Sequence, residues 1–293
     1  MVKTIIDVFV EFIQSLFTGI EGLFEEDHQH DAEFGAASKI VSKRNKGWCI
    51  DGVRFVDMDT TRRNLAVIAG SGMGKTQTNI FPLITNSKSS MVINDNSSEL
   101  ASTIPFLESQ GVETMIMNLT KKTGVYLNPL DGCKGDVAAI RKVVKSLMGT
   151  ANDKSDFFNL SAEDCITLFA QHILESEARI YANLGNVYRL ILELQANPKV
   201  IEYYMAEKAS EDVWRKFLAL SQNSEKTLKS ILATSLSVLS WLGDNKMLCD
   251  LTAFTNIDFT SFRKKQTVLF VQSPASDSAF YAKMVALIFQ TFY

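Results

Sequence analysis

A glycine-rich segment that follows a short apolar run constrains the fold of this chain more than any other feature. Residues Ala69–Thr76 (AGSGMGKT) match the pattern GxxxxGK[ST] except at the first position, where alanine replaces glycine. The apolar run Asn64–Ala69 predicts a buried strand before the segment, and the residues from Thr76 onward predict a helix after it. A strand, a glycine-rich turn and a helix in this order are typical of a phosphate-binding loop.

The residue types in this segment suit the binding of a nucleoside triphosphate, and we predict that it is ATP. Glycines let the backbone turn its N–H groups toward phosphate oxygens, and the start of a helix adds partial positive charge. Lys75 is expected to reach the β- and γ-phosphates, and the Thr76 hydroxyl is expected to hold Mg²⁺. We therefore predict Lys75 as the catalytic residue and Thr76 as the metal ligand. The predicted cofactor-binding residues are Ala69, Gly70, Ser71, Gly72, Met73, Gly74, Lys75, Thr76 and Asp95.

Strand and helix patterns alternate on both sides of a long helical stretch. Three further apolar runs predict strands, and these are Ser90–Asp95, Val112–Leu119 and Thr267–Val271. Helical patterns cover Asp136–Leu147, most of Asp156–Gly243 and Ala279–Phe292. The alternation predicts an α/β fold, a P-loop NTPase with a parallel sheet and an inserted all-α domain. The predicted segments are 1–33 (amphipathic helix and acidic linker), 34–150 (first part of the nucleotide-binding domain), 151–250 (all-α insertion) and 251–293 (continuing strand and helix of the nucleotide-binding domain).

The first residues of the chain predict an amphipathic helix. Asp7, Glu11 and Glu21 interrupt the apolar residues at helical spacing, and the acidic run Glu25–Asp31 follows as a linker. Since no run of 18 uncharged apolar residues occurs, we predict no transmembrane segment in this chain. The sequence leaves open whether the helix docks on its own domain, on a partner protein or on a membrane surface.

Charge and cysteine content limit the remaining functional classes. The net charge of −3 provides no whole-chain attraction to nucleic acid, so any DNA contact requires a local patch. The 4 cysteines lie far apart, which suits a reduced cytosolic protein and argues against a zinc site.

Hydrolysis of a bound nucleotide also requires an acidic residue on a neighbouring strand. No apolar run ends in Asp-Glu; the run Met91–Asp95 ends in a single Asp and is the best internal candidate. The run Val268–Gln272 ends in an amide, which can position water but cannot neutralise Mg²⁺. We therefore predict that Asp95 supports the groups that contact the nucleotide, and we expect the strand that carries the hydrolytic acid to lie outside this chain.

Several segments, taken in order, resemble those of the type IV coupling proteins, the TraG-like ATPases of conjugative DNA transfer. The matching segments are Phe34–Ala37, Asn64–Lys75, Asp95–Leu100, Tyr126–Leu130, Ser224–Leu232 and Phe270–Asp277. In Asp95–Leu100 (DNSSEL) only the first residue and the last two match the family's Asp-Pro-Lys-Gly-Glu-Leu.

The resemblance implies a RecA-like motor domain that works as a hexameric ring and pumps DNA into a type IV secretion channel. It implies ATP and Mg²⁺ as cofactors. The implied partners are DNA, relaxase and other relaxosome proteins, and the secretion channel or a membrane-anchor protein. The implied location is cytoplasmic, at the inner face of the cell membrane.

Two other functions remain open from the sequence. A phosphotransferase that acts on a small molecule needs a lid with arginine clamps, and the helical insertion carries no arginine-rich segment. A nucleotide-binding adaptor that recruits transfer substrates without hydrolysis agrees with the missing acidic strand.

Overall fold

The computed structural model describes most of the chain and divides into two compact units, residues 1–68 and 69–293. The described residues are 37–63, 66–68, 70, 72–148, 157–175 and 181–292. The predicted N-terminal helix and the acidic linker lie outside them.

The described part of the first unit is a small antiparallel hairpin with two short helices. Its elements are α1 (Ala37–Ile40), β1 (Val41–Ser42), β2 (Phe55–Val56) and α2 (Met58–Thr61). The Asp57 carboxylate accepts a hydrogen bond of 2.9 Å from the Thr60 amide, which caps the start of α2.

The second unit contains a three-stranded parallel sheet in the order β3-β5-β4. Its strands are β3 (Met91–Asn94), β4 (Glu113–Asn118) and β5 (Thr267–Gln272). The central strand β5 is buried along its whole length, as expected for a parallel strand with neighbours on both sides. The strands predicted over Ser90–Asp95, Val112–Leu119 and Thr267–Val271 are thus confirmed.

The strand predicted before the glycine-rich loop is not found in the described part of that run. Residues 66–68 have no strand structure, and the Ile68 side chain is 94% exposed. The apolar run Asn64–Ala69 indicated burial, but hydrophobicity alone does not supply the neighbouring strand that a buried position requires.

The two faces of β5 support different layers, because successive side chains of a strand point to opposite sides. Val268 and Phe270 pack in one cluster with Ile84 and Leu107, from helices α3 (Phe81–Asn86) and α4 (Ile104–Ser109). Leu269 and Val271 belong to the larger core, which includes buried residues of the final helix.

All helices from residue 137 to 264 lie between β4 and β5 in the chain, so the sheet is interrupted by a helical region. They are α5 (Val137–Met148), α6 (Phe157–Glu175), α7 (Leu184–Ala196), α8 (Pro198–Lys208), α9 (Glu211–Ser221), α10 (Glu225–Gly243), α11 (Lys246–Leu251) and α12 (Ser261–Lys264). Helix α13 (Ser278–Phe292) follows β5. The helical patterns of the sequence are confirmed, while the domain limits at 151 and 250 stay a prediction.

Side chains specify where these helices begin. Asn183, Ser210, Ser224 and Asn245 each accept a hydrogen bond from a backbone amide of the first turn of the helix that follows. Among the described helices, none combines the length and the apolar character needed to cross a bilayer.

Candidate nucleotide-binding site

The glycine-rich loop has the backbone geometry of an anion-binding turn. Gly72 and Gly74 have φ angles of +75° and +80°, which side chains other than glycine rarely adopt. Lys75 follows with φ −47° and ψ −47°, a right-handed conformation. A left-handed residue followed by a right-handed one points successive N–H groups into a shared concavity, which suits a phosphate.

The two residues predicted to contact the phosphates and the metal lie at the end of this turn. The Lys75 ammonium donates a hydrogen bond of 2.8 Å to the carbonyl of Gly70, so its charge lies over the loop. Within the described residues, the Thr76 hydroxyl has no hydrogen-bond partner, whereas the Thr78 hydroxyl donates to the Gly74 carbonyl at 2.9 Å. Thr76 therefore retains a hydroxyl that can bind a cation.

The helix after the loop begins with a wider turn than an α-helix. Residues Thr76–Ile80 form a π-helical turn that leads into α3, and the Phe81 amide donates to the Thr76 carbonyl. Pro82 lies in the first turn of α3, directly after the π-helical turn, so its missing N–H falls where the regular α-helical bonding pattern is already interrupted. A proline inside a helix favours a kink or an early end, and here the helix changes from π to α geometry just before Pro82.

Apolar contacts fix this helix against the sheet. Ile84 is 2% exposed and lies in the cluster that contains Val268 and Phe270 of β5, and Ile80 packs against the same cluster. The first turn of the 3₁₀ helix Leu100–Thr103 contributes Leu100 to this contact surface. The position of the loop is therefore determined by packing on one face of the sheet.

Asp95 caps the 3₁₀ helix. Its side chain is 1% exposed, and its two carboxylate oxygens accept hydrogen bonds of 3.1 and 3.0 Å from the amides of Leu100 and Ala101. The Gln272 amide donates a third bond of 3.3 Å. These contacts give Asp95 a structural role at the start of the 3₁₀ helix, and a direct contact with the cofactor stays a prediction.

A polar network at the carboxyl ends of the strands was not predicted from the sequence. Gln272, at the end of β5, also accepts a bond of 3.2 Å from the side chain of Asn118, at the end of β4. Ser273 donates to Asn96 at 3.0 Å. A polar residue at the end of each apolar run was the available signal, since the carboxyl ends of parallel strands share one edge of the sheet.

The segment Tyr126–Leu130 bonds to two parts of the helical region. The Leu127 amide donates to the Leu251 carbonyl at 2.9 Å, and the buried Asn128 side chain donates to the Ala182 carbonyl at 2.7 Å. These contacts show a structural role for this segment.

Comparison with known proteins identifies the family. A family model described as Type IV secretory system Conjugative DNA transfer matches residues 22–293. No curated protein sequence matches the chain.

The structure is similar to solved structures of a coupling protein. The unbound monoclinic form of the bacterial conjugative coupling protein TrwBdeltaN70 has a TM-score of 0.57 and 15% identity, over 86% of this chain and 55% of that one. Its trigonal form in complex with sulphate has a TM-score of 0.58 and 14% identity, over 91% and 61%. The plasmid coupling protein TrwB in complex with ADP and Mg²⁺ has a TM-score of 0.56 and 14% identity, over 86% and 56%.

These structures confirm the predicted α/β fold, in which a parallel sheet is combined with many helices. The chain spans at most 61% of the length of the TrwB structures given above. The family match covers more than half of the chain and confirms the resemblance seen in the sequence. The chain belongs to the family of type IV secretory system conjugative DNA transfer proteins.

Proposed function

We propose that this chain binds ATP with Mg²⁺ at Ala69–Thr76 and is part of an ATPase that moves DNA into a type IV secretion channel. The observation that carries the proposal is the left-handed Gly74 followed by the right-handed Lys75 at the start of a helix. Solved TrwB structures in complex with ADP and Mg²⁺ and with nucleotide analogues support the choice of cofactor.

Lys75 contributes the main positive charge of the proposed site. Its ammonium bonds to the neutral Gly70 carbonyl at 2.8 Å, and nucleotide binding exchanges this partner for phosphate oxygens. Phosphate oxygens carry negative charge and attract the ammonium more strongly than a neutral carbonyl does, so the exchange favours the bound state.

Thr76→Ala is expected to weaken the Mg²⁺-dependent part of ATP binding. The variant removes the hydroxyl proposed to hold the cation, and replacing even an outer partner of a metal site costs roughly 10- to 100-fold in metal affinity. We expect ATP affinity in excess EDTA to stay close to that of the wild type, and the gain on adding Mg²⁺ to fall at least about tenfold. Calorimetric titration with and without Mg²⁺ measures both quantities.

The control for this variant is Thr85→Ala, whose hydroxyl bonds the Phe81 carbonyl in the same helix at 2.8 Å. It is expected to keep the full gain on adding Mg²⁺. Equal losses in the two variants argue against a metal contact at Thr76.

DNA, relaxase with its relaxosome, and the secretion channel or a membrane anchor are the proposed partners. Family membership supports them. A homo-hexameric ring and a place at the inner face of the cell membrane belong to the same proposal. Since the net charge is −3, the DNA contact must come from a local basic patch.

A second candidate is an adaptor that binds nucleotide without hydrolysing it. It is favoured by Asp95, whose carboxylate already accepts three hydrogen bonds and is not poised to act on Mg²⁺ or water. Phosphate release by the full chain, measured with and without single-stranded DNA, separates the candidates. Turnover that DNA stimulates supports the pump, and ATP binding without turnover in both conditions selects the adaptor.

A further inference from the structure

Residues 37–63 of the first unit, called the basic hairpin below, carry a local excess of positive charge. They include seven basic and three acidic residues, whereas the second unit has equal numbers of the two. One of the seven, Arg54, pairs with Asp51 at 2.6 Å. The other six are exposed and have no carboxylate partner among the described residues, and they are Lys39, Lys43, Arg44, Lys46, Arg62 and Arg63. A polyanion can therefore approach them without displacing an ion pair.

Hydrogen bonds across the basic hairpin hold these cations on one small frame. The Ile40 carbonyl accepts bonds from the Asn45 side chain at 2.8 Å and from the Asp57 amide at 3.0 Å. The Trp48 amide donates to the Thr61 hydroxyl at 3.1 Å. The basic residues next in sequence to these bonded positions are Lys39, Lys46 and Arg62. The bonds therefore keep charges that are distant in sequence within one compact region.

Basic side chains near the helical region of the second unit are engaged differently. Lys122 pairs with Asp250 at 2.8 Å, and Arg141 pairs with Glu163 and with Asp164, each at 2.8 Å. A phosphate that approached either cation would meet the negative charge of a carboxylate already in place. These cations are therefore less suited to a polyanion than those of the basic hairpin.

The shape of the basic hairpin favours DNA over an anionic membrane surface as the polyanion. Binding at a membrane surface relies on a helix with a broad apolar face. Helices α1 and α2 have only 4 residues each, and the exposed large apolar side chains of residues 37–63 are Val53, in a turn, and Met58, at the start of α2. Contacts to DNA phosphates require cations but no apolar face, and they do not depend on base sequence.

We propose that the basic hairpin binds the phosphate backbone of DNA without base specificity. This inference rests on the proposed function and names the basic patch that the proposed function requires. Residues 1–36 carry eight acidic residues and one basic residue, which repel DNA. We therefore expect a weak affinity that falls steeply as the salt concentration rises.

The triple variant Lys39→Gln/Lys43→Gln/Lys46→Gln tests the surface. Fluorescence anisotropy of a labelled single-stranded oligonucleotide measures DNA binding by the full chain without nucleotide, at several salt concentrations. Each phosphate contact adds about 0.7 to the slope of log affinity against log salt concentration. The variant is therefore expected to lower the slope by about two and the affinity at low salt at least about tenfold, with ATP binding unchanged.

The matched control is Lys199→Gln/Lys226→Gln/Lys283→Gln, which makes the same change in net charge at exposed lysines of the second unit. It is expected to keep the DNA affinity and the salt slope of the wild type. Equal losses in the two triple variants would show that net charge, and not the basic hairpin, determines binding, and would overturn the inference.

Two further outcomes separate this inference from the proposed function. If the hairpin variant binds DNA like the wild type, the inference is wrong, while the pump remains supported with its DNA contact elsewhere. If the wild type binds ATP but no DNA, both the inference and the proposed pump fail. Vesicles of phosphatidylglycerol and phosphatidylcholine provide the membrane comparison: loss of vesicle binding with DNA binding retained would assign the basic hairpin to a membrane surface instead.

Discussion

Replacing Lys75 with alanine is expected to reduce ATP binding by this chain below detection in an ordinary titration. The ammonium lies over the loop, 2.8 Å from the Gly70 carbonyl, where it can bond two phosphate groups. Removing one partner of a hydrogen-bonded charge pair costs about 2–5 kcal/mol, which corresponds to a loss of roughly 30- to several-thousand-fold in affinity. Titration of the variant and the wild type with a fluorescent ATP analogue measures the difference.

Lys88→Ala is the matched control. Lys88 is exposed and follows the far end of α3, so its loss removes the same charge without touching the loop. The control is expected to bind ATP like the wild type. A Lys75→Ala variant that folds normally and binds ATP within threefold of the wild type would contradict the proposed site.

The turn in the glycine-rich loop could be predicted because its signal is local. Gly72 and Gly74 occupy backbone conformations that favour glycine, and Lys75 and Thr76 follow at fixed spacing, so eight consecutive residues contain the information. The strands β3, β4 and β5 could also be predicted from local sequence, since each is a short apolar run between turn residues.

The polar network at the carboxyl ends of the strands depends on strand order instead. Gln272 bonds Asp95 and Asn118, which lie 177 and 154 positions earlier in the chain. The network forms because β5, the last of the three strands of this sheet in sequence order, lies between β3 and β4. Nothing in the apolar runs specifies that order, so the bonds of Gln272 to Asp95 and Asn118 could not be derived from the sequence.

A cavity among the helices α5, α6, α9 and α10 could not be predicted from the sequence for a related reason. Thr167 falls in a stretch of α6 that is buried from Cys165 to Leu174, and its neighbours in sequence suggest an ordinary core helix. Only the packing of α5, α9 and α10 around it leaves a space of about 440 Å³, which Thr167 helps to line. A pattern of apolar residues predicts that a helix is buried, but it does not predict how completely the neighbouring helices fill the volume.

Phe270→Ala is expected to destabilise the second unit more than any other substitution considered above. Phe270 is fully buried in the central strand β5 and packs in the cluster that contains Ile84 and Leu107. Truncating a buried phenylalanine to alanine costs about 3–5 kcal/mol in the free energy of unfolding. Urea unfolding followed by circular dichroism gives the change in this free energy.

The same substitution links stability to the nucleotide site, because Ile80 and Ile84 anchor the helix after the loop to that cluster. We therefore expect Phe270→Ala to weaken ATP binding even at temperatures where most of the protein is folded. Phe106→Ala is the control: this side chain is 48% exposed, and its loss is expected to cost less than about 1 kcal/mol and to leave ATP binding unchanged. If the two variants lose similar stability, the cluster around Phe270 does not stabilise the helix that follows the loop. If Phe270→Ala unfolds more easily but binds ATP normally when folded, the loop holds its geometry independently of that support.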